Sequence, residues 1–165
     1  MVIVRKAKIS DAEEIKTLID FYAKQNIMLP RSIYDIFENI REFSVATINK
    51  NIVGCCALHI FGKEYSLENK REEFVLAEIR SLAAKEEWRN QGIGTKLVKY
   101  CLEEGKRIGV TATFTLTVKE NTGFFKRLGF KEIEKTLLPQ KIWRDCIRCP
   151  KFPSECNEIA LIKYK

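Results

Sequence analysis

Residues 78–105, EIRSLAAKEEWRNQGIGTKLVKYCLEEG, constrain the fold of this chain more than any other stretch. They continue a mostly apolar extended run, Phe74 to Ala84, in which Leu82, Ala83 and Ala84 carry no charge. A polar connection from Lys85 to Gln91 follows and closes on Gly92-Ile93-Gly94. Beyond it Ile93, Leu97, Val98, Cys101, Leu102, Gly105 and Ile108 recur at helical spacing, one apolar face about four turns long. The unit therefore reads as strand, glycine turn, helix. Two glycines at a helix mouth allow close backbone approach, and the first N–H groups there have no partner within the helix. Together with the positive end of the helix dipole, those donors suit an anion, above all a phosphate.

Spacing separates the known phosphate loops. A P-loop requires G-x-x-x-x-G-K-[ST], which does not occur here, and a dinucleotide fingerprint needs a third glycine where this chain has Leu97. What remains is Arg89-x-x-Gly92-x-Gly94 after a strand. This resembles the acetyl-CoA pyrophosphate loop, R/Q-x-x-G-x-G/A, of the GNAT superfamily of N-acetyltransferases. The plainer alternative is an ordinary glycine-containing strand-to-helix turn, so the rest of the chain decides.

A chain of 165 residues is long enough for one domain with a proper core, and 45% hydrophobic with 31% charged residues is ordinary for a globular protein. No apolar run approaches a membrane span, and MVIVRKAKISDAEE has charges within a few residues of its start, unlike a signal peptide. The expected location is the cytoplasm, with no membrane partner. The net charge of +7 is spread along the chain. It suits a small polyanion such as coenzyme A, and no basic run interleaved with aromatics points to nucleic acid.

Taken in order, Val2–Ala7 reads as a strand. Ser10 is a candidate N-cap for a helix with Asp11, Glu13 and Glu14 in its first turn and Ile15, Leu18, Ile19 and Tyr22 on its buried face. Ser32 is placed to cap a second helix with Ile33, Ile36, Phe37 and Ile40 on one side, which leaves Arg31 on the preceding loop. Phe43–Ile48, Asn49-Lys50-Asn51 and Ile52–Phe61 read as a hairpin, and residues 62–73 as a charged loop. Thr113–Val118 is a strand by alternation. Asn121–Leu128 is a short helix that Gly129 ends. Phe130–Glu134 and Glu158–Tyr164 are the last strands, separated by an insertion at about 136–157. The expectation is a single domain spanning 1–165.

This β-α-α-β-β-β-α-β-α-β-β order is similar to the GNAT fold, of the α/β (α+β) class, with a mixed, mostly antiparallel central sheet flanked by helices. A second signature falls in the right place: residues 124–130, FFKRLGF, resemble the F-Y-x-x-x-G-F segment that follows the family's fifth strand. The resemblance implies that acetyl-CoA is the cosubstrate. It places the backbone of Leu82, Ala83 and Ala84 along the pantetheine arm, and Arg89, Asn90, Gln91, Gly92, Ile93, Gly94 and Thr95 around the pyrophosphate, with Phe124 and Phe125 also against the cofactor. It makes Glu78 the general base, often acting through water in this family, where the plainer alternative is an ion pair with Arg80. Many members have a tyrosine as general acid where this chain has Phe125, which cannot donate a proton. Strand alternation puts Glu78 and Arg80 on one face, and an arginine there is shaped to hold a carboxylate through two parallel N–H···O bonds.

Three further segments resemble bacterial N-acetylglutamate synthases: Leu29-Pro30-Arg31-Ser32 with the helix after it, Gly54-Cys55-Cys56-Ala57-Leu58-His59, and Leu138–Pro153. The last is similar to the C-terminal insertion of the short form, and 165 residues leave no room for a kinase-like domain. The resemblance implies L-glutamate as substrate, with Arg31, Arg80 and Ser32 binding it; Lys141 and Trp143 are further candidates to close over it. A GNAT acting on another small amine, or a silent acyl-CoA sensor, stays open, as does a homodimer. His59, alone on a strand, reads as structural.

Cys55, Cys56 and Cys101 lie in apolar runs and read as reduced core residues. Cys146-x2-Cys149 has metal-ligand spacing, and Cys156 follows six residues later. Zinc held by Cys146, Cys149 and Cys156, with an unidentified fourth ligand, stands beside two alternatives: structural thiols and a redox-labile pair.

Overall fold

The structure, a computed structural model, describes residues 1–65 and 73–165. Its elements are β1 (Ile3–Lys6), α1 (Ala12–Ala23), α2 (Ile33–Glu38), β2 (Phe43–Ile48), β3 (Asn51–Tyr65), β4 (Glu73–Ala84), α3 (Ile93–Arg107), β5 (Ala112–Thr117), α4 (Thr122–Arg127), β6 (Lys131–Ile133), α5 (Pro139–Arg144) and β7 (Ile159–Tyr164). The strands form a seven-stranded sheet in the order β1-β2-β3-β4-β5-β7-β6. Pairing is parallel between β4 and β5, and antiparallel for β1 with β2, β2 with β3, and β7 with both β5 and β6. This is the mixed, mostly antiparallel sheet expected from the sequence. The chain divides into two compact units, one of residues 1–59 and 79–105, the other of residues 60–78 and 106–165.

In the first unit Asn49 and Lys50 both take positive φ, 49° and 71°, which matches the right-handed twist of the hairpin strands they join. The apolar stripe of α1 (Ile15, Leu18, Ile19 and Tyr22) packs with Ile36, Ile40, Phe43, Val45, Ile52 and Ala83 into one buried cluster. Ser32 caps α2 as expected, its hydroxyl accepting from the Asp35 N–H at 3.0 Å. The α3 stripe buries Ile93, Leu97, Val98, Cys101 and Gly105. Cys55, Cys56 and Cys101 are buried free thiols, and burial pushes the Cys55 thiol up to about 12.

Gly54 marks the closest approach in this unit. A Cβ there would lie 2.9 Å from Ile93 Cγ2, 3.0 Å from the Ala83 carbonyl oxygen and 3.1 Å from Leu97 Cδ1. Gly54→Val should cost about 1–3 kcal/mol by overpacking, or more if the Ala83 backbone cannot yield. Chemical denaturation should show the loss as a lower midpoint at unchanged m-value, and a wild-type midpoint would refute the close packing.

In the second unit Phe61, Leu76, Ala112, Phe114, Leu138, Ala160 and Ile162 form the core, with the Phe61 and Phe114 rings 5.4 Å apart. Helix α4 ends in a Schellman motif: Gly129 has φ 89°, the Phe130 N–H donates to the Phe125 carbonyl at 3.1 Å, and the Gly129 N–H donates to Lys126 at 3.0 Å.

Four expectations need correction. Ser10 is not the cap of α1. A 3-10 turn over Ile9–Asp11 precedes that helix, and the Asp11 carboxylate accepts from Arg5 at 2.6 and 3.0 Å and from the Lys8 N–H at 2.7 Å. Phe37, within α2, and Ile108, past the end of α3, are exposed, 39% and 60%: the face of α2 that packs on the core carries Ile33 and Ile36, and the chain leaves helical geometry after Arg107. Strand β3 runs on to Tyr65 and β4 starts at Glu73, so the charged 62–73 segment is strand at both margins; its residues 66–72 lie outside the described residues. The insertion contains a helix, α5, that its proline and cysteine content conceals.

Candidate active site

In the second unit, Glu78 is 3% exposed and sits opposite Phe114 in the β4–β5 register. A carboxylate so buried needs a charged partner. Lys141 supplies it from α5, with Nζ 3.0 Å from both Oε1 and Oε2. The same ammonium donates at 2.9 Å to Asp145, four residues later on the same helical face. Burial draws the Lys141 pKa down, but Glu78 and Asp145 outweigh it and the net shift is upward, so Lys141 is a fixed cation. Helix α5 is anchored by Gln140 Nε2, which donates to the Lys63 carbonyl at 2.7 Å, and by the Arg144 guanidinium, 5.0 Å from the Phe61 ring centroid. Trp143 is 71% exposed.

In the first unit, Arg31 donates from Nε to Ser81 Oγ at 2.9 Å and from Nη1 to Asp35 Oδ2 at 2.7 Å. Asn39 steadies Asp35 from the other side, at 3.1 Å. Arg80 reaches Glu42 Oε2 at 3.4 Å, and the other oxygen of Glu42 lies 2.7 Å from His59 Nδ1. Ser81, directly after Arg80, has φ 53°, a left-handed conformation uncommon for a residue with a Cβ. This conformation falls at the residue to which Arg31 is tied.

The remaining segment of β4 carries Leu82, Ala83 and Ala84. Ala83 is buried, and the Tyr22 hydroxyl donates to the Ala84 carbonyl. Lys85 N–H donates to the Val53 carbonyl at 2.9 Å. The connection to α3 is shaped by positive φ at Asn90 (61°) and Gly92 (76°). Gln91 and Gly92 are exposed, Gly94 and Thr95 half-buried, and Ile93 turns its side chain into the core. No acidic residue stands in the first turn of α3, so nothing on the helix offsets the positive end of its dipole. The Arg89 guanidinium lies 5.5 Å from the Tyr22 ring centroid.

Phe125 is buried, with its ring edge-on to Phe124 (5.0 Å) and to Phe130 (5.5 Å), while Phe124 is half-exposed. The three insertion cysteines do not assemble as a zinc clip. Cys146 and Cys149 share a 3-10 turn, and Cys156 Sγ sits 3.0 Å from the Lys135 ammonium, a cation where a second cation would be repelled. Among the described residues no group of three or more His, Cys, Asp or Glu side chains is arranged to hold a metal ion, whereas a closed zinc site takes four ligands. Also among the described residues, no helix is long and apolar enough to cross a membrane.

Sequence reasoning missed Asp35, Glu42 and Asp145. Asp35 and Asp145 each follow their cation by four residues, a spacing that was readable. Glu42, in the turn before β2, pairs with residues far along the chain and left no local signal.

Residues 39–132 match the acetyltransferase (GNAT) domain family. An uncharacterized N-acetyltransferase of Chlorobaculum tepidum is 46% identical over 160 residues, 97% of this chain and 94% of that protein. An amino-acid acetyltransferase of Mycobacterium tuberculosis is 32% identical over 149 residues, 88% of this chain and 78% of that protein. Among solved structures, an N-acetylglutamate synthase from Neisseria gonorrhoeae complexed with coenzyme A and N-acetyl-glutamate matches with a TM-score of 0.80 at 25% identity. That match covers 99% of this chain and 35% of the larger protein.

Proposed function

This chain belongs to the GNAT family of acetyltransferases, and we propose that it transfers the acetyl group of acetyl-CoA to the α-amino group of L-glutamate. The reading takes residues 1–165 as one acetyltransferase domain with an insertion at about 136–157. The observation that carries the choice of an acidic amino acid is the bond from Arg31 Nε to Ser81 Oγ at 2.9 Å. It ties one guanidinium to the residue next to the other, Arg80, so that two planar cations serve one short stretch of β4. A dicarboxylic amino acid offers a carboxylate to each. Ser32 fixes the start of α2 and so the backbone next to Arg31.

In the proposed reaction Glu78 takes a proton from the substrate ammonium, through a water molecule, and the free amine attacks the thioester carbonyl carbon. Backbone groups of Leu82–Ala84 steady the developing oxyanion. The C–S bond breaks, the amide nitrogen releases its second proton to solvent, and coenzyme A leaves with the electron pair. Phe125 supplies no proton to it, and a thiol pKa near ~8.5 makes the thiolate a tolerable leaving group. The backbone of residues 89–95 holds the pyrophosphate. The product, N-acetyl-L-glutamate, opens arginine biosynthesis in the enzymes this chain resembles.

The test is acetyl-CoA consumption against a panel of L-amino acids, with products identified by mass. Selective formation of N-acetylglutamate is expected. Turnover of another amine would replace the substrate but keep the chemistry, and acetyl-CoA binding without any turnover would replace the enzyme by a sensor.

A further inference from the structure

We propose that Lys141 is a positioning residue for Glu78: the insertion helix α5 delivers an ammonium that keeps the buried carboxylate ionised and fixes its orientation on β4. The inference rests on the reading of Glu78 as base and adds to it a group outside the segments that carry the family's cofactor signature. Burial to 3% exposure works against the ionised form of a carboxylate and so against its use as a base near neutral pH. Lys141 prevents this with contacts of 3.0 Å to both oxygens, and its own side chain is 12% exposed, so solvent screens the pair little.

The neighbouring titratable groups fit the assignment. Asp145, 35% exposed, draws the ammonium from the solvent side at 2.9 Å and keeps Lys141 charged while it serves Glu78. The Cys146 thiol faces the same pair, and its pKa is raised, burial outweighing the attraction of Lys141. It therefore stays neutral and does not compete with Glu78 for the ammonium. The helix is held at two further points, Gln140 on Lys63 and Arg144 on Phe61, so the cation arrives on a supported element rather than a free loop. A lysine whose role was only to fix the insertion would not need both oxygens of a buried strand carboxylate.

The experiment follows the protonation of Glu78 directly and needs no substrate. Infrared difference spectra of the full chain are recorded across pH for wild type, Lys141→Met, Lys141→Arg, Glu78→Gln and Lys141→Met/Glu78→Gln. The expected result is a protonated-carboxyl band in Lys141→Met that titrates at least about 1 pH unit above wild type. The band should be absent from the double variant, and Lys141→Arg, which keeps the charge, should titrate closer to wild type than Lys141→Met does. In parallel, kcat for L-glutamate with acetyl-CoA is measured against pH. The acid limb should move in the same direction, because a base with a raised pKa loses its ionised form at higher pH. If Lys141→Met leaves the Glu78 band and the acid limb where wild type has them, the inference is overturned. If instead Glu78→Gln retains full rate while the band shifts as expected, the assignment of Glu78 as base fails and the electrostatic coupling stands. Lys141→Gln, closer in polarity, replaces methionine should that variant fail to fold.

Discussion

Replacing Glu78 by glutamine is expected to lower kcat by about 10²–10³-fold, the usual contribution of a positioned general base, while KM for acetyl-CoA changes little. The substitution keeps the shape of the side chain on β4 but removes its charge, its basicity and one of the two oxygens that accept from Lys141. Lys141 keeps Asp145 as a partner at 2.9 Å, so the buried ammonium is not stranded. Stability should therefore fall less than activity, and thermal unfolding beside steady-state kinetics separates the two. A variant that folds normally and turns over at the wild-type rate would remove Glu78 from the mechanism.

Arg80→Ala is expected to raise KM for L-glutamate by roughly 10–100-fold, the value of a lost charge-assisted contact to a carboxylate, and to leave KM for acetyl-CoA nearly unchanged. The side chain is 15% exposed and its partner Glu42 remains bonded to His59 at 2.7 Å, so the pocket should keep its shape without it. Arg31→Ala should act in the same direction, with an added loss from the Ser81 bond. Equal rises in both KM values would show a general disturbance of the site and refute the carboxylate clamp. The split is read from initial rates with each substrate varied at saturation of the other.

Much of this was legible because the decisive signals are local. The strand, glycine turn and helix of residues 74–107 follow from a change of hydrophobic period and two glycines, and Ser32 announces α2 by its own hydroxyl. The errors arise where a tertiary partner overrides a local rule. Asp11 has an arginine to bind and displaces Ser10 from the cap. Ile108 continues an apolar spacing past the last turn of a helix, where the face it defines no longer exists. The ion pairs of Arg80 with Glu42 and of Lys141 with Glu78 join residues 38 and 63 positions apart, and no pattern in the chain couples them.

The two arginines of the first unit are not bare charges awaiting an anion. Arg31 rests on Asp35 and Arg80 on Glu42, each an internal carboxylate at 2.7 and 3.4 Å. On the proposed function, a dicarboxylate arriving there would meet a site whose positive charge is already matched, and would bind by exchanging one anion for another. Such an exchange would give little attraction at a distance and would reward only a ligand whose oxygens fit both guanidinium planes at once. Selection would then follow encounter and act by geometry, with a stray phosphate or single carboxylate gaining too little to displace the residents.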